Sequence, residues 1–121
     1  MKIERFEELD CWKAARGLVK LTYKFTRKEP FCRDFGLRDQ IQRATISIMA
    51  NVAEGFAAYS NMEFIRFLDY ATRSAIEVQS HLYAALDLEY IEQSDFDIAF
   101  SKAQDCTNLC KGLIRYLKDK T

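Results

Sequence analysis

"FDIAFSKAQDCTNLCKGLIRYL", residues 96–117, decides the fold of this chain. Its inner positions, Phe96, Ala99, Ala103, Cys106, Cys110, Leu113 and Leu117, are spaced alternately by three and four residues. That spacing sets all seven on one stripe of an α-helix, the seam by which helices pack in bundles and coiled coils. A strand would need period two, and no stretch of the chain keeps that alternation for long. Ser94, two residues ahead of the seam, is the expected N-cap.

Working back, "SNME" at residues 60–63 fits a capping box, with Ser60 as the cap and Glu63 three residues on. The helix it opens runs to about Leu88 and turns Phe64, Phe67, Leu68, Ala71, Ala75, Val78, Leu82 and Leu86 inward. Before it, a helix beginning around Leu37 buries Leu37, Ile41, Ala44, Ile48, Val52 and Gly55. The first helix begins near Asp10, its candidate cap, and ends near Lys28. Its inner face reads Trp12, Ala15, Val19, Thr22, Tyr23 and Thr26, flanked by Leu18 and Phe25. Pro30, the only proline, cannot continue a helix and marks the connection "PFCRDFG".

Four helices with short connections in 121 residues imply an all-α chain. The expected architecture is one domain, residues 1–121, folded as an antiparallel up-down-up-down four-helix bundle. Charge supports the topology. Residues 11–28 carry six basic side chains and no acidic one, and residues 87–97 carry five acidic side chains and no basic one. The up-down arrangement brings these blocks to one end, and it pairs the acidic start "MKIERFEELD" with the basic tail "KGLIRYLKDK" at the other.

Composition removes several functions. Charged residues make up 30% of the chain, and no apolar run approaches the roughly 18 residues of a membrane span. The first residues have no apolar signal-peptide core, so the expected compartment is the cytoplasm. Cys11, Cys32, Cys106 and Cys110 contain no C-x-x-C pair, and His81 is the only histidine. The reading is buried free thiols, with no metal and no cofactor. Without a nucleophile motif near it, His81 reads as a surface residue, and the chain reads as no enzyme.

Two surface features remain. At about 100° per residue, Gln40, Arg43, Ser47, Asn51 and Glu54 form a polar flank on the second helix. Ser47, Asn51 and Glu54 read as half-buried groups that hydrogen-bond locally, and Gly55 as a point of close backbone approach. Ile46, Met49, Ala53 and Phe56 fall away from the core and give that helix a second apolar face. It reads as a subunit interface of a homo-oligomer, or as a patch left exposed or covered by Ile3 and Phe6. On the first helix Lys13, Arg16, Lys20, Lys24 and Arg27 recur every three or four residues opposite the core. The stripe is either a solvated face or a band that follows the phosphates of RNA or DNA without base-specific readout, since no aromatic is interleaved in it. On the third helix Arg66, Tyr70, Arg73 and Glu77 face outward, a surface on which an unidentified protein partner would dock.

The chain resembles a bacterial four-helix-bundle family first noted as reading frames in intervening sequences of large-subunit ribosomal RNA genes. The resemblance lies in "FEELDCWKAARGLV", "FGLRDQIQRATISIMANVAEGF" and "SNMEFIRFLDYATRSAIEVQSHLYAALDLEYI". Asn51, Glu54 and Gly55 match its N-x-x-E-G signature. The resemblance implies a ring-shaped homo-oligomer, commonly a pentamer, without catalytic activity. A related branch comprises basic accessory proteins of diversity-generating retroelements, which bind a reverse transcriptase and nucleic acid. The zero net charge of this chain places it nearer the ribosomal-intervening branch. Met49 stands where the family often has proline, which implies a straighter second helix.

Overall fold

The computed structural model describes residues 2–120. They form four long helices: α1 Asp10–Thr26, α2 Phe35–Phe56, α3 Asn61–Asp87 and α4 Gln93–Asp119. Single 3₁₀ turns, Phe6–Glu8 and Phe31–Arg33, precede α1 and α2. There is no strand among the described residues, and no helix is long and apolar enough to cross a membrane.

The cross-helix bonds fix the topology. Gln42 Nε2 donates to Thr26 Oγ1 at 2.9 Å between α2 and α1. Ser74 Oγ donates to Ser47 Oγ at 3.0 Å between α3 and α2. Gln79 Nε2 donates to the Phe100 carbonyl at 3.3 Å between α3 and α4. Joined by connections of only four to eight residues, these neighbouring helices run antiparallel, and α1 closes the square against α4. This is the up-down-up-down bundle the seam implies.

One apolar cluster fills the centre, including Leu18, Phe31, Ile41, Ile48, Leu68, Val78, Leu82, Ala103 and Cys106. The buried residues of α1 are Cys11, Ala15, Leu18, Thr22, Phe25 and Thr26. Ala15, Thr22 and Thr26 lie inward as expected, but the seam is rotated towards Leu18 and Phe25, which were expected only to flank it. Trp12, Val19 and Tyr23 are only half-buried. Phe67 and Leu86 of α3, Leu37 of α2 and Leu113 of α4 are likewise half-buried edge residues. Ala85 takes the inward place expected of Leu86. Thr22 Oγ1 and Thr107 Oγ1 are buried without a hydrogen-bond partner among the described residues.

The helix ends correct several expectations. Leu9, not Asp10, is the N-cap of α1, and that helix stops at Thr26. Asp34 starts α2 two residues early: its Oδ1 accepts from Leu37 N at 3.1 Å, and its Oδ2 accepts from Tyr90 Oη at 2.9 Å. One carboxylate thus caps a helix and ties it to the α3–α4 turn. It also holds the Tyr90 phenol above its ordinary pKa, because the bond favours the protonated form. Ser60 caps α3 as read, accepting from Glu63 N at 3.2 Å. Ser94 does not cap α4: the helix has already begun at Gln93, after Glu92. At the end of α3, Glu89 sits in the left-handed region at φ 62°. Tyr90 N bonds to the Ala85 carbonyl at 2.9 Å and Glu89 N to the Leu86 carbonyl at 3.0 Å, a Schellman stop with glutamate where glycine is usual.

Candidate functional site

The buried seam of α1 leaves its opposite side to solvent, and Lys13, Arg16, Lys20, Lys24 and Arg27 are all exposed there. None of the five belongs to an ion pair among the described residues. The pairs that form include Arg5–Glu7, Arg33–Glu29, Arg38–Asp39, Arg73–Asp69 and His81–Glu77, each within about one turn of chain. Lys24 and Arg27 also stand at the C-terminal end of α1, where the helix dipole favours cations.

The stripe is not uniform. Lys20, Lys24 and Arg27 line a groove of about 650 Å³ between α1 and α2, together with Val19, Tyr23 and Ile46. Lys13 faces the other way, towards Lys102 and Asp105 of α4 across Ala14 and Gly17. Arg16 sits over the Trp12 ring at 5.6 Å, and Trp12 meets Phe6 edge-on at 5.3 Å. An aromatic is therefore interleaved among the cations after all: Tyr23 lies beside Lys20, Lys24 and Arg27. The rotated seam explains the miss, because Leu18 and Phe25 take the core positions expected of Val19 and Tyr23. Their spacing from Cys11 and Ala15, alternately three and four, was the available signal.

The second face of α2 borders the same groove. Ile46 is 42% exposed. Met49, Ala53 and Phe56 are half-buried, and Met49 and Phe56 pack against the chain's own core. The Phe6–Glu8 turn touches α2, so Phe6 lies on this side of the bundle. Ile3 lies instead beside Leu109, Leu113 and Tyr116 of α4.

The polar flank of α2 meets α3. Asn51 Nδ2 donates to the Ser47 carbonyl at 2.9 Å and to Ser47 Oγ at 3.0 Å, while Ser74 Oγ reaches the same hydroxyl. Gly55 is buried because a Cβ there would stand 2.8 Å from Phe64 Cδ1 and 2.8 Å from Phe67 Cβ. Glu54 departs from the sequence reading. It is exposed, not half-buried. The His81 side chain is also less open than expected, at 18% exposure, with Nε2 3.2 Å from Glu77 Oε2. Among the described residues, no three His, Cys, Asp or Glu side chains converge as metal ligands would.

The chain matches the family model described as 23S rRNA-intervening sequence protein over residues 7–112. It is similar to a solved structure from Bacteroides thetaiotaomicron, described as a protein of unknown function from the S23 ribosomal protein family. The two are 25% identical with a TM-score of 0.79, and the match covers 86% of this chain and 97% of the other. No curated protein matches the chain.

Proposed function

The chain belongs to the 23S rRNA-intervening sequence protein family, and on that premise we propose that it works without catalysis, as a self-associating helical bundle that holds RNA or DNA by its phosphates. One observation carries this reading: five exposed cations on α1 without a carboxylate partner. Three of them converge on one groove. Unneutralised cations spaced about one helical turn apart attract a polyanion, because binding releases its condensed counterions. The groove's lining groups are three cations, a phenol and two aliphatic side chains. The cations suit phosphate oxygens and the phenol ring suits stacking on a base, chemistry that supports binding.

Self-association is supported by the rest of the second α2 face, where Met49, Ala53 and Phe56 stay only half-buried in the single chain, with a pentamer implied by the family likeness. Light scattering should report several times 14.1 kDa. Ala53→Glu, outside the groove, should lower that mass, since a buried unpaired charge is costly. Fluorescence anisotropy with mixed-sequence RNA and DNA tests the phosphate contacts. The K20E/K24E variant should bind more weakly than the native chain, and equal binding by both would overturn the proposal.

A second reading, a protein scaffold, is favoured by the α3–α4 face. Ile76 is 56% exposed and Tyr83 53%, and Tyr83 meets Phe96 at 4.9 Å with the two rings tilted by 58°. A protein co-purifying in stoichiometric amount, with no retained affinity for nucleic acid, would favour that reading.

A further inference from the structure

Three of the four cysteines are buried at the seam between α1 and α4. Small side chains line that seam, with Ala15 on α1 and Ala99 and Ala103 on α4 wholly buried, which lets the two helices approach closely. Across it Cys11 lines one pocket with Asn108, Leu109, Gly112 and Leu113 of α4, the residues on either side of Cys110, and the two buried thiols interact directly. That pocket, of about 390 Å³, has Cys11 as part of its floor, is walled by Leu9, Leu109, Leu113 and Tyr116, and opens at this end of the bundle. A dithiol bridging two helices, reached by a pocket, has no part in phosphate binding on the outer face of α1.

We propose that Cys11 and Cys110 are an oxidisable dithiol, which a hydroperoxide entering the pocket closes into a disulfide stapling the start of α1 to α4. The Cys11 thiolate attacks the O–O bond and takes the terminal OH as a sulfenic acid. The departing alkoxide takes up the proton the Cys11 thiol gave up and leaves as the alcohol, or as water when the oxidant is hydrogen peroxide. The Cys110 sulfur then attacks the sulfenic sulfur; its proton leaves with the departing hydroxide as water, and the S–S bond forms. Two thiols lose two electrons and the hydroperoxide gains them.

The two sulfurs are suited to different parts. The hydrogen bond from Cys110 holds the Cys11 thiol below its ordinary pKa against the opposing effect of burial. The same bond, followed by burial, holds the Cys110 pKa far above the usual thiol range while Cys11 is a thiolate. Oxidation of Cys11 to the sulfenic acid removes that thiolate and with it the chief cause of the rise, which frees Cys110 to attack. Cys106 is excluded as the partner of Cys110: residues four apart on a helix have Cβ atoms about 5–6 Å apart, beyond the roughly 3.5–4.5 Å of a disulfide. Burial also pushes the Cys106 thiol up to about 12. Cys32 lies in the 3₁₀ turn beyond the far end of α1, about 25 Å along that helix from Cys11 at 1.5 Å per residue.

The test is hydrogen peroxide treatment of the folded full chain, read by intact mass, thiol titration and peptide mapping. Free thiols should fall from the four of the native chain to two. The mass should drop by the two hydrogens lost, and a Cys11–Cys110 peptide should appear. C106S should close the same bond, and C110S should leave a Cys11 sulfenic acid that dimedone traps. The thermal midpoint of the oxidised chain should rise and return on reduction. Peroxide that leaves the native chain's thiols intact, that adds oxygen without forming a disulfide, or that joins any other pair would overturn the proposal.

Discussion

Replacing Gly55 with alanine tests the packing of α2 on α3, and its sign is set by two opposed effects. Alanine favours a helix interior by about 0.8–1 kcal/mol over glycine. Against this, the new methyl would stand 2.8 Å from Phe67 Cβ and 2.8 Å from Phe64 Cδ1. The Phe64 ring has some room to turn, although it meets Phe56 edge-on at 6.2 Å. The Cβ of Phe67 is fixed to the α3 backbone, so relief requires the helix itself to move. Overpacking of this kind costs about 1–3 kcal/mol and more when backbone shifts. Because the backbone must shift, the upper part of that range, about 2–3 kcal/mol, applies. Less the propensity gain, the net loss should be about 1–2 kcal/mol, lowering Tm by about 3–10 °C for a chain of this size. Gly17→Ala is the matched control, because a Cβ there meets nothing within 4 Å. It should raise Tm, keeping the propensity gain alone. Circular dichroism melts at one fixed subunit concentration read both variants. A Gly55→Ala protein as stable as the native chain would refute the close-approach argument.

Two further substitutions probe other parts of the bundle. Asn51→Ala removes two bonds to Ser47 but leaves Ser74 on the Ser47 hydroxyl; urea denaturation should show a loss of about 0.5–1.5 kcal/mol with nucleic-acid affinity unchanged. If affinity vanished at constant stability, Asn51 would be a binding residue. Glu89→Gly relieves the left-handed backbone at φ 62° and should stabilise by up to about 1 kcal/mol, unless the melt shows no gain, in which case that turn is unstrained.

The helices were legible wherever a long seam repeated. The seven spaced positions of α4 gave its core stripe, with six buried and Leu113 half-buried. The Ser60 cap and the Gly55 contact were also readable, the first from local hydrogen-bond chemistry and the second from a small residue on the inward face. Boundaries that depend on distant partners were not. Asp34 begins α2 while also bonding Tyr90, 56 residues away in sequence, and no local pattern announces that bond. The groove was hidden for a related reason. Cys11, Leu18 and Phe25 set the rotation of α1, but Trp12, Val19 and Tyr23 offer an equally apolar stripe next to them. Only the neighbouring helices decide which stripe is buried. The five cations, exposed on either rotation, were found. Tyr23, which rotation moves from core to groove, was not. Glu54 was misplaced because a polar flank does not reveal how far the adjacent helix extends over it.

The central claim is that α1 contacts phosphates, and the salt dependence of RNA binding tests it most directly. Each phosphate neutralised on a single strand contributes about −0.7 to the slope of log K against log salt. Engagement of the three groove cations of one chain should therefore give a slope of about −2.1. The K20E/K24E variant should flatten it by about 1.4 if each lysine holds one phosphate. A slope near zero, or one that the charge reversal leaves unchanged, would contradict the account.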